Sequence, residues 1–180
     1  MRILTAQPLT REAFAPFGDV IDTEGGNSFP INQGKCMRHH DLAKVEAEGP
    51  AARVLISIFR ATPYDFPLKL AMVERHPLGS QAFMPLSPAP FLVVVCPEGE
   101  QGPGAPLAFL TRPGQGVSYR RNTWHGVLTP IGASQDFLVV DRGGEGVNLE
   151  EHFFDEPWQV RLPDQPSRRS TRDRSSNALP

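Results

Sequence analysis

Between residues 53 and 141 the chain runs in short segments of alternating or continuous apolar positions, closed by Pro, Gly, Asp or Ser. The clearest are Arg53 to Phe59, Leu70 to Arg75, Gln81 to Leu86, Phe91 to Cys96, Leu107 to Thr111, Gly116 to Tyr119 and Phe137 to Asp141. Their shortness and their β-branched and aromatic content predict strands. Phe91-Leu92-Val93-Val94-Val95 is apolar at every position, which predicts a central strand covered on both faces. No long helix separates the runs, and a parallel crossover generally needs one, so the connections are expected to be antiparallel. The pattern therefore predicts an all-β jelly-roll sandwich or barrel. One short N-terminal helix is expected over Leu9 to Gly18, with Thr10 as cap, Leu9 and Phe14 as staple, and Gly18 ending it. Glu24 to Gly34, rich in Gly and Asn, reads as a loop.

Composition sharpens this only at the edges. A length of 180 residues suits one domain, and 19 Pro with 16 Gly fit many short strands joined by turns. From Asp164 onward apolar periodicity stops, so the chain divides into a domain over residues 1–163 and a disordered polar tail over 164–180. A formal charge of -2 gives no electrostatic reason to expect a nucleic-acid partner. No apolar run is long enough to span a bilayer and no signal peptide opens the chain, so a cytoplasmic protein is expected. The two cysteines, Cys36 and Cys96, are expected to be free thiols.

Two polar constellations interrupt the strands. In the first, Glu74-Arg75-His76-Pro77-Leu78-Gly79-Ser80-Gln81, an extended backbone points Glu74 and His76 to one face and Arg75 to the other. The turn from Pro77 to Ser80 then delivers Gln81 onto the next strand. The second, Gly114 to His125, leads a strand through a polar turn to Trp124 and His125. A carboxylate, two imidazoles and an amide converging on one wall suit acid–base chemistry or a divalent metal. Taken one at a time, each of these residues also fits a purely structural role.

Together the two segments resemble the cupin superfamily, whose fold is a double-stranded β-helix. Its metal ligands fall at Glu74, His76, Gln81 and His125, with Glu and Gln standing where a His and a Glu are usual. Such a set implies Ni, Mn or Zn, and a metal-free site is the alternative. Longer blocks resemble the ureidoglycolate lyase family within it. They are Ile31 to Gly34, Arg38 to Ala43, Ser57 to Ala61, Leu70 to Leu86, Gln115 to His125, and Asp136 to Gly144. The chain departs from that family at Arg120 and Gly126, where histidines are usual, and at His39, where Tyr is usual.

The resemblance implies cleavage of ureidoglycolate to glyoxylate and urea in allantoin (purine nitrogen) degradation, by a homodimer. Glu74, His76 and His125 are then the catalytic candidates. Arg38 or Arg60 would hold the substrate carboxylate, because a guanidinium fork binds two oxygens at once. Asn32, Gln33, His40 and Tyr119 complete the expected substrate contacts. The rival readings are another cupin enzyme acting on a small carboxylic acid, and a non-catalytic cupin that binds a small molecule.

Overall fold

Residues 2–163 are described by a computed structural model. In chain order the elements are β1 (Arg2–Thr5), β2 (Gln7–Pro8), helix α1 (Arg11–Phe14), β3 (Gly18–Ile21), β4 (Asn27–Ile31), β5 (Cys36–His40), β6 (Arg53–Ala61), β7 (Leu68–Arg75), β8 (Gln81–Pro85), β9 (Phe91–Cys96), β10 (Glu98–Gly99), β11 (Gly102–Pro103), β12 (Leu107–Leu110), β13 (Gly116–Tyr119), β14 (Trp124–His125), β15 (Thr129–Pro130), β16 (Gln135–Gly143) and β17 (Glu150–Arg161). All seven strands expected from the sequence are present. The tail assigned to residues 164–180 lies outside the described residues.

Two sheets carry the architecture. The first has the order β1-β17-β7-β14-β9-β12-β2, and the second β3-β13-β8-β16-β6. Because β1 and β2 adjoin in the chain yet occupy the two ends of the first path, that sheet curls round until its ends nearly meet. The Ala6 amide, donating to the Arg161 carbonyl at 2.8 Å, extends the β1–β17 pairing up to the start of β2. The result is a nearly closed β-barrel with the second sheet laid against it, consistent with a cupin barrel.

Strand β9 shows how alternation builds two cores at once. Phe91, Val93 and Val95 enter the core between the sheets, with Phe14, Phe83, Phe109, Val117, Phe137 and Val139. Leu92, Val94 and Cys96 face the other way, into a core shared with Val73, Trp124 and Val160. Both faces of β9 are therefore covered, as its unbroken apolar run predicts. Burial pushes the Cys96 thiol up to about 12, which leaves it inert, and neither cysteine is in a disulfide.

Three expectations need correction. Helix α1 has the expected cap, Thr10 Oγ1 accepting from the Ala13 amide at 3.2 Å, but it stops at Ala15. Gly18 instead opens β3, where a Cβ would lie 1.9 Å from the Ser118 carbonyl oxygen of β13. The supposed loop from Glu24 to Gly34 contains β4, which forms a hairpin with β5 and pairs with neither main sheet. Two pairings, β1 with β17 and β12 with β2, are parallel. Short terminal strands are free to lie either way because they need no local crossover.

Candidate active site

The cluster of interest sits between the two sheets, where the turn from β7 to β8 meets the turn from β13 to β14. His125 pairs with Glu74 of β7 on one side and Val95 of β9 on the other, so all three side chains share the inward face. The next position back, Trp124, pairs with Cys96 and enters the second core. Arg75 goes to that same outer side, its guanidinium 4.3 Å from the Trp124 ring and bonded to Glu150 and Glu98. His76 lies just beyond β7, and Gln81 opens β8, where it pairs with Tyr119.

Distances tie these residues into one group. His125 Nε2 lies 3.6 Å from Glu74 Oε1, and His76 Nε2 lies 3.2 Å from Gln81 Oε1. The two imidazole centroids are 5.2 Å apart, and the Tyr119 ring stacks on His125 at 4.3 Å. The approach of His125, and then the charge of the two imidazoles, holds the Glu74 carboxyl below its ordinary value against the opposing effect of burial. Burial and the Glu74 charge push the Tyr119 hydroxyl up, so it serves only as a neutral group.

Backbone carbonyls fix both rings. Asn148 O accepts from His76 Nδ1 at 2.8 Å, and Thr123 O accepts from His125 Nδ1 at 2.9 Å. With each Nδ1 committed as a donor, a neutral ring turns the lone pair of Nε2 toward the other members of the cluster. The Asn148 side chain also accepts from the Leu78 amide at 2.8 Å, clipping the β7–β8 turn in place. Neither Asn148 nor Thr123 was legible as the residue that fixes an imidazole, because each does so through a backbone carbonyl that every residue type possesses.

Glu74, His76 and His125 each offer a ligand atom, and these atoms lie within 4.8 Å of one another. His125 Nε2 is buried without a hydrogen-bond partner, as a nitrogen reserved for a ligand would be. The donor set thus fits a divalent cation. Gln81, already against His76, adjoins this set rather than completing it as a carboxylate would.

The remaining candidates are distributed unevenly. Arg60 is not brought to the cluster: it pairs with Asp136 at 2.8 Å, on the outward face of β6, since its neighbour Phe59 packs inward on Phe83. Asn32 and Gln33 form the tip of the β4–β5 hairpin with φ of 52° and 58°. Arg38 and His40, on the same hairpin, lie against Phe29 at 5.9 Å and 5.7 Å. No hydrogen bond or ion pair joins these four to the cluster among the described residues. Arg120 and Gly126 also point away. Arg120 lies 3.8 Å from Asp19, and a Cβ at Gly126 would meet Val94 of the second core at 3.2 Å.

Comparison with known proteins places the chain that carries this cluster in a family. The family model described as ureidoglycolate lyase matches residues 1–161. The chain belongs to the ureidoglycolate lyase family. A ureidoglycolate lyase of Chelativorans sp. (strain BNC1) is 68% identical over 91% of this chain and 99% of its own. One from Mesorhizobium japonicum is 68% identical over 91% of this chain and 100% of its own. A third, from Agrobacterium fabrum, is 54% identical over 89% of this chain and 96% of its own. Membership in this lyase family makes the chain an enzyme, and it removes the reading as a mere binding cupin.

Proposed function

We propose that this protein is a ureidoglycolate lyase, converting ureidoglycolate to glyoxylate and urea in allantoin degradation. The observation that carries the reading is the Glu74–His76–His125 cluster, enclosed between the sheets of a chain that matches the family over residues 1–161.

The reaction is a carbinolamine cleavage. The hydroxyl proton leaves, the C–N bond breaks as the C=O bond forms, and the departing nitrogen gains a proton. No water is consumed, so one shuttle suffices. A carboxylate held below its ordinary value is a poor proton acceptor near neutrality, which favours His125 as the base. His125 Nε2 takes the hydroxyl proton, Glu74 stabilises the imidazolium 3.6 Å away, and the proton is then returned to the urea nitrogen. His76, oriented by Asn148 and facing Gln81, adjoins this shuttle and helps position the carbinol for the transfer. Tyr119 keeps the His125 ring in plane by stacking. In the alternative reading, a divalent cation (Ni, Mn or Zn) held by Glu74, His76 and His125, with Gln81 as a weak further ligand, would polarise the hydroxyl in place of the His125 proton transfer, because the one Nε2 lone pair cannot serve both.

For the substrate carboxylate, Arg38 remains the candidate, with Asn32, Gln33 and His40 beside it on the hairpin. This role requires the hairpin to lie over the cluster when substrate is bound. Arg60 has no part in it. The domain over residues 1–163 is sufficient for activity, and the enzyme is a cytoplasmic homodimer. The test is glyoxylate release by purified protein supplied with ureidoglycolate, with and without chelator. Release with equimolar urea is expected, and none from either preparation would reject the reading.

A further inference from the structure

A carboxylate outside the Glu74–His76–His125 set has no partner where one is needed. Strand β16 runs without irregularity against β6 from Gln135 to Gly143. Its Phe137 and Val139 point into the core and are 0% exposed, so the two-residue period turns Asp141 to the same inward face. The register of β16 on β8 steps through Phe137–Pro85, Leu138–Met84, Val139–Phe83 and Val140–Ala82. The paired register ends there; carried one step further in the same strand directions, it points Asp141 toward Gln81, which itself pairs with Tyr119. Tyr119, Gln81 and Asp141 thus form one row across the second sheet, facing Glu74 and His125 of the first. Cross-strand neighbours in such a row have Cβ atoms roughly 4.5–5.5 Å apart.

Asp141 differs from the other inward or half-buried acids. Asp22 is held by Arg11 and Gln115, Asp136 by Arg60, and Glu74 by the two imidazoles. Asp141 Oδ1 is buried with no hydrogen-bond donor, and its neighbour on β6 is the apolar Leu55. Leaving a buried carboxylate oxygen unmatched opposes folding unless a ligand supplies the donor.

We propose that Asp141 recognises the ureido end of the substrate. This rests on the ureidoglycolate reading above. A monosubstituted urea carries two parallel N–H bonds on the side away from its carbonyl, and a carboxylate accepts both at once. The glyoxylate half has no N–H group, and its carboxylate is repelled by Asp141. The residue therefore enforces one direction of binding, with nitrogen toward the second sheet and the carbinol toward Glu74 and His125.

The experiment compares the wild type with Asp141→Asn, a change of one atom that replaces an acceptor by a donor. Glyoxylate release is followed against ureidoglycolate concentration, with urea and glyoxylate added separately as product inhibitors, and melting is recorded for both proteins. The expected result is a KM raised ~10–100-fold, the range of a lost charge-assisted hydrogen bond. Inhibition by urea weakens to a similar extent, inhibition by glyoxylate does not, and the melting temperature holds or rises because an unmatched charge has gone. Asp141→Ser, which keeps an acceptor but shortens it, supplies the same comparison should the amide disturb folding. Unchanged KM and urea inhibition in an active enzyme would overturn the assignment. So would a lowered melting temperature with both products weakened alike, the mark of a structural residue. A wild type that releases no glyoxylate at all defeats the underlying reading instead.

Discussion

The space between the two sheets has a dry end and a polar end, and the change happens at the same level on each strand. On β8 it falls between Phe83 and Gln81, on β16 between Val139 and Asp141, and on β13 between Val117 and Tyr119. The dry end is locked by aromatic contacts, Phe14 to Phe109 at 6.2 Å and Phe91 to Phe137 at 5.1 Å. At the polar end His125 Nε2 and Asp141 Oδ1 are buried without hydrogen-bond partners. One alternation serves both ends, so a strand held rigidly by its Phe or Val can present an under-satisfied group two residues further on. Stability is concentrated where no chemistry is needed, which lets the other end stay poorly matched until substrate arrives.

The largest expected effects separate the two ends. Phe137→Ala should lower stability by about 3–5 kcal/mol, the cost of a large cavity in a closed core, with activity per folded molecule nearly intact. His125→Ala should do the reverse, slowing glyoxylate release by ~10²–10⁴-fold with a smaller fall in melting temperature. Melting and initial rates on both variants decide the matter. Equal activity losses would show that the ends are not separable.

Next in size is the response to metal. If a cation works at the polar end, Gln81→Glu should retain it more tightly, because a carboxylate is a better ligand than a neutral amide. Chelation should then abolish activity in the wild type. If the residues act alone, chelation does nothing and Gln81→Glu impairs the reaction, since a new charge near Glu74 and Asp141 repels the substrate carboxylate. Metal content and rate, measured together, separate the two.

A smaller effect is expected from pH. The Glu74 value is lowered in the folded protein from an ordinary 4.5, so its contribution to stability is complete above that value. It is lost only as pH falls through the lowered value, and Glu74 adds no slope between neutrality and pH 5. Glu74→Gln should therefore flatten the acid limb of the melting profile and leave the neutral part parallel. A slope difference confined to pH 6–8 would contradict the assignment.

Much of this architecture could be read directly from the residues. The runs at β6, β8, β9 and β13 alternate cleanly or are wholly apolar, and the Glu74–His76 parity predicts their shared face. What could not be read is what lacks a local pattern. Strand β17 is studded with Glu and Asp and interrupted by a register shift before Trp158, where Pro157 sits, so it carries no period of two. The β4–β5 hairpin is hidden by its Gly and Asn content. Arg60 has the right chemistry for a carboxylate, and only the register with Asp136 shows that its partner is already supplied. Asp141 reads as the polar end of a strand until its row with Gln81 and Tyr119 is seen.

The smallest effect is expected at Arg120, one of the two positions where family histidines are replaced. Tyr119 faces inward against His125, so the next residue turns outward, and Arg120 is half exposed beside Asp19 at 3.8 Å. A loose pair at that distance on the surface contributes little, about 0–1 kcal/mol. Arg120→His should leave KM and kcat for ureidoglycolate unchanged and shift melting only slightly. The companion change, Gly126→His, probes the opposite case, because a side chain there meets Val94 at 3.2 Å inside the second core. It should destabilise the fold by about 1–3 kcal/mol through overpacking, without touching the polar end directly. A gain in kcat from Arg120→His would place that histidine's surface in the catalytic cycle and extend the polar end beyond the row that Glu74, His125, Gln81 and Asp141 define.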